Sequence, residues 1–225
     1  MTIRELNPGG NNPRFIVVEG PIGVGKTSLA RRLALSFDGD LVLEQSEDNP
    51  FLEQFYGSGR RTALPAQLHF LFQRARQLEA LNQGDMFSPI RIADFHMLKD
   101  RLFAELNLDA AELDLYNQIN DKLDFDVPVP DLVIYLQASV DALMSRIAAR
   151  NLDYERKMDR AYVEQVADAY ARYFYDYDES PLLIVNASTI DPVRNDVDYD
   201  SLYQQVRRIT SGRHFFNPAA AVAFA

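Results

Sequence analysis

Gly20-Pro21-Ile22-Gly23-Val24-Gly25-Lys26-Thr27 is the stretch whose reading decides the fold. Its spacing, G-x4-G-K-T, is that of a phosphate-binding loop. The residues on either side supply the context such a loop needs. Before it, Phe15-Ile16-Val17-Val18 is an unbroken apolar run of the kind found in buried parallel strands; after it, Leu29, Ala30, Leu33, Ala34 and Phe37 recur at helical spacing. The glycines let backbone amides turn inward, and the helix that follows adds the positive end of its dipole. Gly20, Gly23, Val24, Gly25, Lys26, Thr27 and Ser28 are therefore the expected nucleotide-binding set. Lys26 would reach the β- and γ-phosphates and the Thr27 hydroxyl would ligate Mg²⁺.

The rest of the composition narrows what such a loop can serve. A net charge of -10 argues against a duplex nucleic-acid partner, whose affinity would rest on a broad basic surface. A small phosphate ligand needs only a local cluster of lysine and arginine. The chain has no cysteine, which excludes disulfides, thiolate catalysis and cysteine zinc sites. No apolar run approaches the roughly 20 residues of a membrane span, and the first residues lack a signal peptide's apolar region. The expected setting is the cytoplasm, with no membrane partner.

Alternation of strand and helix patterns predicts an α/β domain with a doubly wound, mostly parallel, five-stranded sheet flanked by helices. The strands are expected at Phe15–Val18, Leu41–Glu44, Ile90–Asp94, Leu132–Leu136 and Leu182–Val185. A long helix over about 64–82 would bury Leu64, Leu68, Leu71, Ala75 and Leu78. Residues 1–12 read as a flexible lead-in, 13–210 as one domain with a lid near 150–158, and 211–225 as a tail. In open sheets of this kind ligands gather at the carboxyl ends of the strands, where the phosphate loop, Glu44 and Asp94 all fall.

Glu44 stands where an acceptor hydroxyl would meet the γ-phosphate, so it is either a base for that hydroxyl or a solvated loop-edge glutamate. Asp94, a strand-end acid, is placed to hold Mg²⁺ through water. Gln67 and Arg74 are seven residues apart on the long helix, which puts their side chains roughly 20° apart on one face. Gln67 could read a base edge there, since its amide both donates and accepts.

Glu44, Asn49-Pro50-Phe51, Tyr56, Gln67, Arg74, Lys99-Asp100-Arg101-Leu102-Phe103-Ala104 and Asp153-Tyr154-Glu155 occur in an order that resembles the deoxynucleoside kinase family. Bacterial members acting on deoxyadenosine, deoxyguanosine or deoxycytidine are similar in pattern, and the likeness runs from about Phe15 to Val206. The resemblance implies a phosphate-loop kinase fold, ATP and Mg²⁺ as cofactors, a deoxynucleoside as substrate and a homodimer. It implies Glu44 as the base activating the 5′-hydroxyl, with Gln67 and Arg74 on the base and sugar. It also implies Tyr56 and Glu155 on the 3′-hydroxyl, Phe103 stacked on the base, and Arg146 and Arg150 as lid arginines over ATP. Two departures stand out. The lid reads Arg150-Asn151-Leu152 where relatives carry two arginines, leaving Arg156 or Lys157 to compensate. After the third strand the run Asp94-Phe95-His96 lacks a central arginine, for which Arg74 is the expected substitute. His69, His96 and His214 read as structural.

Two rivals deserve comparison. A nucleoside monophosphate kinase of thymidylate-kinase type shares the fold and lid but needs a further basic site for the acceptor's phosphate. A nucleotide-switched binding module needs Asn-Lys-x-Asp after a strand; the nearest run, Asn120-Asp121-Lys122-Leu123-Asp124, is out of spacing and follows a helical stretch. Base preference is open to adenine, cytosine or guanine, with purines slightly favoured by the resemblance.

Overall fold

The structure, a computed structural model, describes residues 15–58, 60–82, 90–123 and 127–217. The expected lead-in and the last eight residues lie outside the described part. In chain order the strands and α-helices are β1 (Phe15–Glu19), α1 (Lys26–Phe37), β2 (Asp40–Val42), α2 (Leu52–Ser58), α3 (Ala63–Asn82) and β3 (Arg91–Ala93). They continue with α4 (Leu98–Asn107), α5 (Ala110–Lys122), β4 (Leu132–Gln137), α6 (Val140–Arg150), α7 (Arg160–Asp176), β5 (Leu182–Asn186), α8 (Asp196–Val206) and β6 (Arg213–Phe216).

The strands form one sheet in the order β2-β3-β1-β4-β5-β6, every neighbour parallel. The sheet has six strands, not the five expected. Arg213–Phe216, read from sequence as part of a tail, pairs alongside β5 with Leu182 opposite Arg213 and Val185 opposite Phe216. It is a short edge strand with only one neighbour, and its burial alternates between half-buried and exposed. It therefore lacks the continuous apolar run by which the central strands are recognised.

Alternation along β1 divides the core. Ile16 and Val18 face a cluster containing Leu29 and Leu33 of α1, while Val17 faces the opposite layer with Tyr170 and Phe174 of α7. Tyr135 of β4 stacks on Phe174 with centroids 4.2 Å apart, filling the second layer. A third cluster, with Ala63 and Leu71 of α3, Ala104 and Leu108 on and beside α4, and Tyr116 of α5, packs the helices that follow β2 and β3. Of these helices, α3 and α4 line the cleft that holds the phosphate loop. Helix starts are set by local chemistry: Ser139 caps α6, Asp159 caps α7, and Asp109 with Glu112 makes a capping box on α5.

Candidate active site

The phosphate loop leaves β1 and enters α1 through Gly25, whose φ of 106° is left-handed. Gly23 has φ 80°, and a Cβ there would lie 2.7 Å from Cγ1 of Ile147 on α6. The ammonium of Lys26 curls back to donate to the carbonyls of Gly20, at 2.7 Å, and Pro21, at 3.1 Å. Burial and the nearby Lys99 bring the Lys26 ammonium down to about 8. The base of the loop is anchored by Glu19, only 1% exposed. Its carboxylate accepts from the amides of Gly20 and His96 and from the Tyr170 hydroxyl. Sequence reasoning missed this residue, because a single acidic residue ending an apolar strand has no distinctive spacing. His96 is itself buried, which drives its imidazole down to about 4 and keeps it neutral near pH 7.

Asp94 joins the loop to the opposite wall. One of its oxygens receives the Thr27 hydroxyl, and the other receives the backbone amide of Glu44 at 2.7 Å. A hydroxyl and a carboxylate side by side are oxygen donors suited to Mg²⁺, which keeps its remaining positions for phosphate oxygens and water. No set of three or more acidic or histidine side chains suited to a metal occurs among the described residues. Burial pushes the Asp94 carboxyl up, against the Thr27 and Glu44 hydrogen bonds.

Glu44 lies two residues beyond β2 and is held from two sides. Arg74 of α3 pairs with its Oε1, and the ammonium of Lys99, on α4, lies 2.7 Å from its Oε2. Burial opposes the charge on Glu44, yet Lys99 and Arg74 outweigh it and hold the carboxyl well below the usual range. Arg74 also pairs with Asp100, so the cluster balances two cations against two carboxylates. Burial lifts the Asp100 carboxyl to about 6 despite Arg74, and its second oxygen is buried without a hydrogen-bond partner. Gln67 donates to the main-chain carbonyl of Asp100 at 3.2 Å. Both polar residues of the expected α3 face thus meet Asp100.

The cleft these groups line has a volume of about 490 Å³, within the range of small-molecule sites. Gly23 through Ser28 and Asp94 form one side, and Glu44, Tyr56, Gln67, Arg74 and Phe103 the other. Arg146, Arg150 and Glu155 line the same space. Gly20 is not on its wall and acts through its carbonyl. Tyr56 stacks on Tyr154, and burial raises its hydroxyl well above the ordinary value, so it stays protonated. Arg146 donates to the carbonyls of Val24 and Ala187, at 3.2 and 2.7 Å, bracing the phosphate loop. Arg150 makes a two-point pair with Glu155, whose carboxyl burial raises while Arg150 pulls it down.

The expected stand-ins for a second lid arginine turn elsewhere. Arg156 bonds Asn151 and Asp153, and Lys157 pairs with Glu53; neither lines the cleft. The arginine lacking after Asp94 is a buried phenylalanine, Phe95, and the positive charge beside Glu44 comes from α3 and α4 instead.

Fold and cleft together define a phosphate-loop phosphotransferase type of site, with a parallel sheet, a lysine-bearing loop and a gripped carboxylate across from it. Residues 16–211 match the deoxynucleoside kinase family, and the chain belongs to it. It is 34% identical to a deoxyguanosine kinase of Bacillus subtilis (strain 168), over 88% of this chain and 99% of that one. It is 27% identical to a deoxyadenosine kinase of Lactobacillus acidophilus, over 81% of this chain and 89% of the relative. A solved deoxyadenosine kinase from M. mycoides, with dCMP and a flexible dCDP bound as products, superposes with a TM-score of 0.75 at 24% identity. That match covers 85% of this chain and 98% of the other.

Proposed function

We propose that the protein transfers the γ-phosphate of ATP to the 5′-hydroxyl of a deoxynucleoside, with purine deoxynucleosides preferred. The observation that carries this reading is the Thr27–Asp94–Glu44 connection, in which one aspartate ties the phosphate loop to the main chain of Glu44, whose carboxylate lines the same cleft as Lys26 and Thr27. The preference for purines follows the deoxyguanosine and deoxyadenosine kinases among its relatives.

In the transfer, the acceptor oxygen bonds to the γ-phosphorus as the bond from that phosphorus to the bridging oxygen breaks. The electron pair leaves on ADP, and the hydroxyl proton passes to Glu44. A depressed carboxyl is a weak base, but it suffices here. In a loose phosphoryl transfer the hydroxyl becomes acidic only late, and the protein's main work is positioning and charge stabilisation. Mg²⁺, held by Thr27 and Asp94, would neutralise phosphate charge. Lys26 would exchange the carbonyls of Gly20 and Pro21 for β- and γ-oxygens, and Arg146 and Arg150 would cover the donor from α6. Gln67 would meet the base, Arg74 would hold Glu44 beside the sugar, Phe103 would stack on the base, and Tyr56 with Glu155 would take the 3′-hydroxyl. The cation pair on Glu44 is engaged by carboxylates, which supports an uncharged acceptor over a monophosphate. A homodimer in the cytoplasm completes the proposal. No helix among the described residues is long and apolar enough to cross a membrane.

Steady-state rates with the four deoxynucleosides and their monophosphates, measured side by side with ATP and Mg²⁺, test the reading. The expected result is highest kcat/KM for deoxyguanosine or deoxyadenosine and little turnover of monophosphates. Preferential use of a monophosphate would overturn it.

A further inference from the structure

The two grips on Glu44 are unequal. Arg74 takes Oε1 but divides its guanidinium between Glu44 and Asp100, whereas Lys99 meets Oε2 from α4 at 2.7 Å. Lys99 is 8% exposed, too deep to be a solvated surface lysine, and it lines the cleft beside Lys26, Thr27 and Asp94. Its ammonium lies 5.8 Å from the centre of the Phe103 ring, a distance at which the ring face attracts a cation. A carboxylate oxygen has room for two donors, so Oε2 can take Lys99 on one side and a hydroxyl on the other. With Lys99 in place the cluster of Arg74, Lys99, Glu44 and Asp100 is neutral; without it, an uncompensated negative charge would face the end of a triphosphate.

We propose that Lys99 is a positioning residue for phosphoryl transfer, fixing Oε2 of Glu44 toward the acceptor hydroxyl and cancelling the charge that Glu44 would otherwise present to the donor. It thereby supplies, from α4, a cation that the turn after Asp94 does not carry. The inference rests on the deoxynucleoside kinase reading above.

The test uses the full chain with ATP, Mg²⁺ and 2′-deoxyguanosine, and four variants: K99M, which keeps the length and removes the charge, K99R, E44Q, and E44Q with K99M. A lost electrostatic contact of this kind typically costs on the order of 100-fold in kcat. K99M is expected to fall by about that factor with KM for both substrates within about threefold, because the interaction matters chiefly in the transition state. K99R is expected to recover to within about tenfold of wild type, as charge and not shape alone is restored. In the E44Q background K99M is expected to change kcat by less than about threefold, since a residue acting through Glu44 has nothing left to act on. Melting curves identify any variant that has lost its fold, and K99Q replaces K99M in that event. K99M within threefold of wild type, or an equal loss with and without Glu44, overturns the proposal while leaving the kinase reading intact. A wild-type protein that phosphorylates no deoxynucleoside overturns both.

Discussion

At Glu44 burial and charge act in opposite directions, and the outcome has a measurable signature. Burial alone would lift the carboxyl; Lys99 and Arg74 bring it far below its ordinary value of about 4.5. The sign of the pH dependence follows by linkage. A group whose folded value is depressed contributes its stability above the unfolded value and loses it as pH falls toward the folded one. We therefore expect the melting temperature of the wild type to drop as pH is lowered from about 4.5, and E44Q to show a shallower drop over the same interval. Parallel slopes would show that other carboxylates dominate acid unfolding. The same residue marks how far sequence reading reaches at this scale. That Glu44 lines the cleft was legible because ligands gather at strand ends beside a phosphate loop, and that Arg74 shares a helix face with Gln67 because seven residues return a side chain to the same face. The contacts of Lys99, which entered only as part of a family-like run, and of Glu19 were not. Their importance lies in partners 55 and 77 residues away in sequence, which no local spacing encodes.

The phosphate loop and α1 were legible as an element, because glycine positions, lysine and apolar periodicity all demanded one geometry. Gly23 is the position where that geometry is least forgiving. Its left-handed φ and the 2.7 Å approach to Ile147 mean that G23A must strain the backbone and displace α6. The expected cost is about 1–3 kcal/mol in chemical denaturation, with a raised KM for ATP as the loop amides lose alignment. An unchanged KM and midpoint would show that the loop relaxes freely. Helix α3 was legible in extent but less so in orientation. Leu71 and Ala75 of the expected stripe are buried, Leu64 and Leu68 only half-buried, and Leu78 lies among side chains outside the described set. Ala66, Gln67 and Arg74 are buried as well. The helix faces α4 and α5 on one side and the cleft on the other, and hydrophobic periodicity does not register a polar residue buried against a site. Strand β6 escaped because four residues on a sheet edge, one face exposed, carry little apolar signal.

Across the whole molecule the lining of the cleft is shared along the sheet. The loop after β1 and α6 with its arginines line it, as do α2, α3 and α4, which follow β2 and β3; in the proposed reaction the first group would meet the donor and the second the acceptor. That the strand ends share one rim was legible from the alternation of strands and helices. Assembly was not, since one chain does not display its own partner. Sedimentation equilibrium is expected to give a mass near twice 25.6 kDa, the mass of one chain; a single-chain mass at assay concentrations would refute the homodimer.

Asp94 is where the two halves touch, since one small carboxylate receives the Thr27 hydroxyl on one oxygen and the Glu44 amide on the other. Such a group behaves as a gauge block, setting how far the main chain of Glu44 stands from Thr27 by the length of a single side chain. D94E inserts one methylene into that gauge while preserving charge and donor-binding chemistry. We expect it to leave both substrates bound with KM changed by less than about fivefold yet to slow kcat by about 100-fold, the cost of roughly one ångström of misplacement.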